Sequence, residues 1–295
     1  MSRQSRPAGL LCVGRLYCDL VFSELPRLPT LGQEVYAGAL SLHAGGGAVI
    51  TAAHLSQLGR STHLAAFWPA PPFADQVQGD VAGAGIGNSL CRPSTAPEPQ
   101  ITVAMSDGGE RAFLTRRVGR AVPDISIADL HALNIGHMHI GELATLVEQP
   151  DLITFARSAG LTLSLDCSWD DAATARAAPL IAAVDVFFPN EEEVAQLTAL
   201  GLRPPFAPLT VVKRGARGAV AQGNGQTVES PGHRVPVVDT TGAGDAFNSG
   251  FLHRWLDAAP LAVCLAAGNA RGAEAVQQRG GFSPRRASAD QALGV

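Results

Sequence analysis

Residues 239 to 251, Asp-Thr-Thr-Gly-Ala-Gly-Asp-Ala-Phe-Asn-Ser-Gly-Phe, set a glycine turn and a carboxylate at the start of an apolar helical pattern (Ala246, Phe247, Gly250, Phe251, Trp255). Gly242 and Gly244 carry no side chain, so a phosphate can come close to the backbone N–H groups of a helix N-terminus there. Asp245 lies on the same first turn, where it can take a proton from an attacking hydroxyl. An anion held at a helix end beside a general base is the division of labour that phosphoryl transfer requires. The same residues permit a plainer reading, a helix capped by Thr240 or Thr241 with an acid favourably placed on its dipole.

Such a turn needs a strand before it and a sheet beneath it. Residues 235–238 read as the entering strand. Residues 10–13, 62–67, 137–140, 161–165, 185–188 and 209–212 read as further short apolar strands, and 48–58, 73–84, 172–183, 191–200, 244–256 and 261–276 as helices. This alternation predicts an α/β fold with a mostly parallel sheet covered on both faces. Two segments depart from it. Residues 34–42, and 101–106 with 112–115 joined at Asp107-Gly108-Gly109-Glu110, read as a short antiparallel excursion with a hairpin turn. The Pro-rich stretches 69–72 and 93–99 read as loops.

Other residues fall where chemistry is possible. Asp19 follows the first strand by a few residues, and a carboxylate at a strand's carboxyl end can accept bonds from two hydroxyls; a loop acid or a cap is the plainer reading. Gly45-Gly46-Gly47 opens the helix 48–58. Asn190-Glu191-Glu192-Glu193 opens another, an acidic first turn that any helix N-terminus favours. Lys213, the only lysine of the chain, ends a strand before Gly215 and Gly218 and can meet a phosphate as a point charge. His137 and His139 share one face of a strand, a spacing open to a metal, but no Glu or Cys partner accompanies them. His139, near the strand's carboxyl end, is a candidate lining residue of a substrate pocket. Arg111, Arg116 and Arg117 read as a solvated face, with a clamp on an acidic sugar or phosphate as the sharper option.

The string from Asp239 to Phe251 closely resembles the C-terminal motif of ribokinase-like, phosphofructokinase B type carbohydrate kinases. The resemblance implies a three-layer α/β/α fold over residues 1–295, with small β-lid strands inserted at about 31–43 and 100–116. It implies that Asp245 is the catalytic base and that Gly242, Ala243 and Gly244 form the anion hole. It further implies an acceptor gripped by Asp19 and packed by Gly45 and Gly46. Asn190 and Glu193 would hold the Mg²⁺ of ATP, mainly through water; Lys213, Gly215 and Gly218 would lie along the nucleotide, with Asn269 near the adenine. Asp239, Thr241, Ala275, Gln278 and Gly280 correspond to positions that cage K⁺ in many relatives. One position departs: where the family carries a substrate-binding Asn, this chain has Ile50. That leaves open a nucleoside or other small alcohol as acceptor beside a sugar, and a ligand-sensing relative without turnover as a third reading.

Composition narrows the classes. At 295 residues with 46% hydrophobic content, the chain can bury a large α/β core, and its net charge of −4 carries no basic run suited to nucleic acid. It contains no apolar stretch of eighteen residues, and Met1 to Pro7 is polar without an apolar region behind it. Five scattered cysteines with no Cys-x-x-Cys fit reduced, buried thiols. The expectation is a cytoplasmic enzyme acting on small molecules, with no nucleic-acid or membrane partner, no Walker-type phosphate loop, and a homodimer through the lid as an option.

Overall fold

Strands whose alternate residues are both apolar must be covered on both faces, and the chain meets that need with helices. The computed structural model describes residues 8–94, 96, 100–107, 111–168, 174–223 and 225–283. In chain order the elements are β1 (Gly9–Val13), β2 (Tyr17–Ser23), β3 (Ala39–Gly45), α1 (Gly47–Gln57), β4 (Thr62–Ala65), β5 (Phe67–Trp68), α2 (Ala74–Gly83), β6 (Arg92–Pro93), β7 (Ile101–Ser106) and β8 (Arg111–Arg116). There follow α3 (Ile127–Ala132), β9 (Ile135–Ile140), α4 (Leu143–Glu148), α5 (Asp151–Ser158), β10 (Thr162–Asp166), α6 (Ala178–Ala182), β11 (Val186–Phe188) and α7 (Glu191–Ala199). The last described elements are β12 (Leu209–Lys213), β13 (Ala219–Gly223), β14 (Gln226–Ser230), α8 (Ala243–Trp255) and α9 (Leu261–Ala275).

The main sheet runs β14-β13-β12-β11-β10-β9-β1-β4. It is parallel from β12 to β4 and antiparallel through β13 and β14. Leu10 and Cys12 of β1 join Phe188, Val211, Phe247 and Phe251 in one core cluster under α1, α8 and α9. Leu11 and Val13 join Met138, Ile140, Leu163, Leu165 and Phe187 in a second cluster on the opposite face. The two-residue period of a strand thus feeds two cores, the expected consequence of a sheet buried on both sides.

A second sheet, β3-β2-β7-β8, carries Asp19 and ends at the glycine turn. Two buried contacts anchor it. The Arg15 guanidinium reaches Gln100, the carbonyls of Val118 and Gly119, and Glu148, while Asp80 of α2 accepts from the backbone N–H of Ala44 at 2.8 Å. Both hold the chain just before and just after the residues that face the site.

Four sequence expectations change here. Residues 34–38 form no strand; the lid strand is Ala39–Gly45, and the segment before it is exposed, with Leu31 wholly in solvent. Tyr17–Ser23 is a strand rather than a loop after β1, so Asp19 stands on a sheet. β13 and β14 form a hairpin that small and polar residues concealed. Residues 235–238 form no strand: Pro236 interrupts them, Val237 and Val238 are exposed, and the Val238 N–H donates to the Val276 carbonyl at 2.7 Å. The turn at Gly108 to Glu110 and the start of the helix expected at 172–183 lie outside the described residues.

Candidate active site

The first turn of α8 organises the site. Gly242 precedes it in the left-handed region (φ 71°) and holds the N-cap position that the sequence offered to Thr240 or Thr241. Ala243 and Gly244 line a cavity of about 650 Å³. The Ala243 N–H donates to the Thr240 carbonyl at 3.2 Å; the other first-turn N–H groups and the positive end of the helix dipole suit that end of the cavity to an anion.

Asp245 projects to the other side of the turn. Thr51 of α1 points its hydroxyl at the Asp245 carboxylate, 3.4 Å away. A Cβ added to Gly47 would come within 3.0 Å of the same carboxylate and 2.5 Å of the Gly141 carbonyl oxygen, and a Cβ on Gly45 would land on the Asp19 carboxylate. The two acids therefore flank one glycine turn, and glycine is needed there because the carboxylates occupy the space of side chains. Burial raises the Asp19 pKa to about 7, against a smaller opposing pull from the Thr102 hydroxyl. Burial also pushes Asp245 well above the ordinary carboxylate range, reinforced by the negative charge of Asp166 and, more weakly, Glu142; Lys213 and the Thr51 hydroxyl pull the other way.

Glu142, unnoticed in the sequence, sits at the carboxyl end of β9 and accepts from the Thr145 hydroxyl (2.7 Å) and the Arg15 N–H (3.3 Å). Burial raises its pKa. The structure moves Ile50 away from the acceptor side: its side chain packs where Cβ atoms on Gly242 and Gly281 would otherwise be, 2.9 and 2.6 Å off. The residue of α1 that meets Asp245 is Thr51, one position further on. Helical stepping of 100° per residue makes that single position decisive.

Across Asp245 lies the cavity. Lys213 enters it from the end of β12, and its Nζ stands 3.2 Å from the Cβ position of Gly244. Gly215 and Gly218 line the same cavity; Gly218 has φ 93° and lets the backbone of Ser230 to Gly232 pass against it. Asn269 lines it too, but its amide donates to the carbonyls of Ser230 (3.2 Å) and Pro231 (3.1 Å), so as placed it holds the cavity wall. Val235, Val237 and Val276 add an apolar flank. Asn190 and Glu193 form a reciprocal capping box on α7, with the Asn190 N–H donating to Glu193 at 2.6 Å and the Glu193 N–H to Asn190 at 2.9 Å. They adjoin Lys213 through the Asn190–Lys213 bridge between backbones.

The Asp239 carboxylate accepts from the N–H groups of Thr241 (2.8 Å) and Gly280 (2.9 Å), which ties the loop after Ala275 to the turn before α8. The Ala275 carbonyl accepts from the Gln278 N–H at 3.1 Å. His139 does not line the cavity described above. It is fully buried on β9, its ring edge-on to Phe188 and its Nδ1 2.8 Å from Ser164 Oγ, and burial lowers its pKa to about 4 despite the nearby Asp166. No group of three His, Cys, Asp or Glu among the described residues is disposed to hold a metal ion; the rings of His137 and His139 meet the Ser164 hydroxyl, and His137 also meets that of Thr162. Arg117 lies 3.7 Å from Glu148, an ion pair between the residue after β8 and the end of α4.

Residues 8–287 match the family model described as pfkB family carbohydrate kinase. The chain is 28% identical over 292 residues to an ATP-dependent ribose-1-phosphate kinase of Halopiger xanaduensis, a match covering 95% of this chain and 96% of the relative. Its fold is similar to that of the nucleoside kinase of Methanocaldococcus jannaschii, an archaeal member of the ribokinase family (TM-score 0.79, 18% identity, 94% of each chain). It is likewise similar to Arabidopsis thaliana ribokinase complexed with ribose and ATP (TM-score 0.77, 21% identity, 95% of this chain and 97% of that one).

Proposed function

The chain belongs to the pfkB family of carbohydrate kinases and is a sugar or nucleoside kinase of that family; from that premise we propose that it moves the γ-phosphoryl group of ATP to a hydroxyl of a sugar or sugar-like small molecule. The observation that carries this reading is the position of Asp245, between a glycine turn that also abuts Asp19 and a cavity lined by the helix end and Lys213. An acceptor hydroxyl would rest between Asp19 and Asp245, with ATP in the cavity. Asp245 removes the hydroxyl proton as the oxygen attacks phosphorus in line; the O–P bond forms as the bond to the leaving ADP breaks. The N–H groups at residues 242 to 244 stabilise charge on the transferring oxygens, and Asp19 orients the acceptor through paired hydroxyls.

Asn190 and Glu193 are the groups that would hold Mg²⁺, which when bound neutralises phosphate charge; a water-mediated site suits so sparse an acidic set. Asp239 and the carbonyls near Thr241, Ala275, Gln278 and Gly280 would suit K⁺, since the Asp239 carboxylate already draws the Gly280 loop and the turn before α8 together as a cluster of oxygens. Gly45 and Gly46 would pack against the acceptor, and Gly215, Gly218 and Asn269 would shape the nucleotide wall. We read residues 1–295 as one kinase unit with the small sheet as its lid. The exposed Leu40, Phe113 and Leu114 of that sheet support pairing of two copies. Five buried, unpaired cysteines support a reducing, cytoplasmic setting. Among the described residues no helix is long and apolar enough to cross a membrane.

A panel of pentoses, hexoses, their phosphates and nucleosides, scored by ADP release with ATP and magnesium, tests the reading. Turnover of a sugar or sugar phosphate is expected, and ATP binding with no acceptor consumed across the panel would overturn it. Ile50, facing Gly242 and Gly281, offers no support for a nucleoside over a sugar.

The pH profile gives a second test. Asp19 and Asp245 both hold protons above the ordinary carboxylate range in the ligand-free protein, and both are needed ionised. With a raised pKa the ionised form is lost as pH falls, so kcat/KM for the acceptor is expected to drop as pH falls through about 7. A profile flat down to about pH 5, where ordinary carboxylates remain ionised, would contradict it.

A further inference from the structure

Asp166 ends β10 and is 4% exposed. One of its oxygens accepts from Lys213 Nζ at 2.7 Å, and the other accepts from Asn248 Nδ2 at 2.8 Å. Asn248 is itself fully buried on α8, three residues beyond Asp245. One carboxylate thus joins the ends of β10 and β12 to the helix whose first turn faces the cavity.

Lys213 has a flexible four-carbon stem, and holding its charge at one point costs rotamer freedom. Its side chain is 13% exposed, lines the cavity, and puts its ammonium against Gly244. An ammonium carries three donors, and the bond to Asp166 engages one, which leaves capacity for a phosphate oxygen. We propose that Asp166 is a positioning residue: it stations the Lys213 ammonium at the phosphate end of the cavity and, through Asn248, locks that position to the first turns of α8. This rests on the kinase reading above. The competing account is a buried ion pair that merely holds the fold.

The two accounts differ in what they do to phosphate and to base. Binding of the non-hydrolysable analogue AMP-PNP with magnesium, and of adenosine alone, is measured on the full chain and on Asp166→Asn, Lys213→Met and the double variant. Loss of one charge-assisted contact is expected to weaken AMP-PNP roughly 10- to 100-fold in either single variant, with adenosine unchanged. The double variant, whose buried charges are again balanced, is expected to bind AMP-PNP no more weakly than Lys213→Met. Equal losses for adenosine and AMP-PNP would make Asp166 structural and overturn the inference. So would multiplicative losses in the double variant, which would show the two residues acting independently. Should Asp166→Asn fail to fold, the double variant against Lys213→Met still decides, because a further loss there overturns the inference. Absence of AMP-PNP binding by the unaltered protein would instead strike the kinase reading itself.

Discussion

Asp245→Asn is expected to lower kcat about 10²- to 10⁴-fold, the usual worth of general-base assistance, while AMP-PNP binds as before. The amide has the shape of the carboxylate and can keep the 3.4 Å contact with the Thr51 hydroxyl, so geometry is preserved and only the proton acceptor is lost. The substitution carries a second expectation of opposite sign. Burial and the charge of Asp166 raise the proton affinity of Asp245 in the folded state above that in the unfolded chain. Stability contributed by such a group is present at low pH and lost as pH rises through its folded pKa. At neutral pH the ionised Asp245 therefore costs stability, and an amide, which cannot ionise, removes that cost. Asp245→Asn should melt at or above the unaltered protein while turning over far more slowly, the trade expected of a strained functional group. Turnover within a few-fold of the unaltered enzyme would reject Asp245 as the base. A lowered melting temperature would instead show that the carboxylate has a structural partner worth more than its burial costs.

The reaction half of the site was legible because its chemistry is local. Gly242, Gly244 and Asp245 lie within four residues, so a turn, a helix start and a carboxylate can be read together without knowing the fold. The strands were legible for a similar reason: Leu10 to Val13 is a continuous apolar run, Leu209 to Val212 is apolar but for Thr210, and a sheet buried on both faces accepts them. What stayed hidden depends on distance along the chain. Asp166 is one acid at the end of an apolar strand, and its meaning comes from Lys213 and Asn248, 47 and 82 residues away. Glu142 was hidden in the same way, behind Arg15. Carboxyl ends of parallel strands face the crevice, so both acids carried a signal, though one shared with many solvated loop acids. The direction of Ile50 stayed hidden because counting from a glycine pair gives a position in sequence, not a direction around a helix. The roll of α1 is set by the close passage of Gly47 past Gly141, and that passage turns Thr51 to the base and Ile50 to Gly281. Residues 235–238 failed as a strand since no neighbouring strand offers a ladder; they instead line the cavity through Val235 and Val237.

Gly242→Ala is expected to lower kcat by about 10²- to 10³-fold, the loss that follows when an anion-stabilising donor is displaced. The residue has φ 71°, and an added Cβ would lie 2.8 Å from the Cα of Gly281, 2.9 Å from Ile50 Cγ2 and 3.0 Å from the Gly281 carbonyl oxygen. Two of these three neighbours are backbone, so relief requires the turn to move rather than a side chain to rotate. A shift of the turn carries the N–H groups of Ala243 and Gly244 with it, and charge stabilisation depends on their distance from the transferring oxygens. Two controls separate this from generic glycine effects. Gly160 has φ 73° with nothing within 4 Å of its Cβ position; Gly160→Ala should lose about 1–2 kcal/mol of stability from the left-handed backbone alone and keep its turnover. Gly79 lies within α2 with open space around it, and Gly79→Ala should gain about 0.5–1 kcal/mol. If Gly242→Ala behaved like Gly160→Ala, destabilised but fully active, the first turn of α8 would not be where the phosphoryl group is stabilised. The donors would then have to come from elsewhere around the cavity, with the Lys213 ammonium, 3.2 Å from the Cβ position of Gly244, the first candidate. The ordering of the three variants in kcat, rather than in melting temperature, is what distinguishes a functional turn from a merely crowded one.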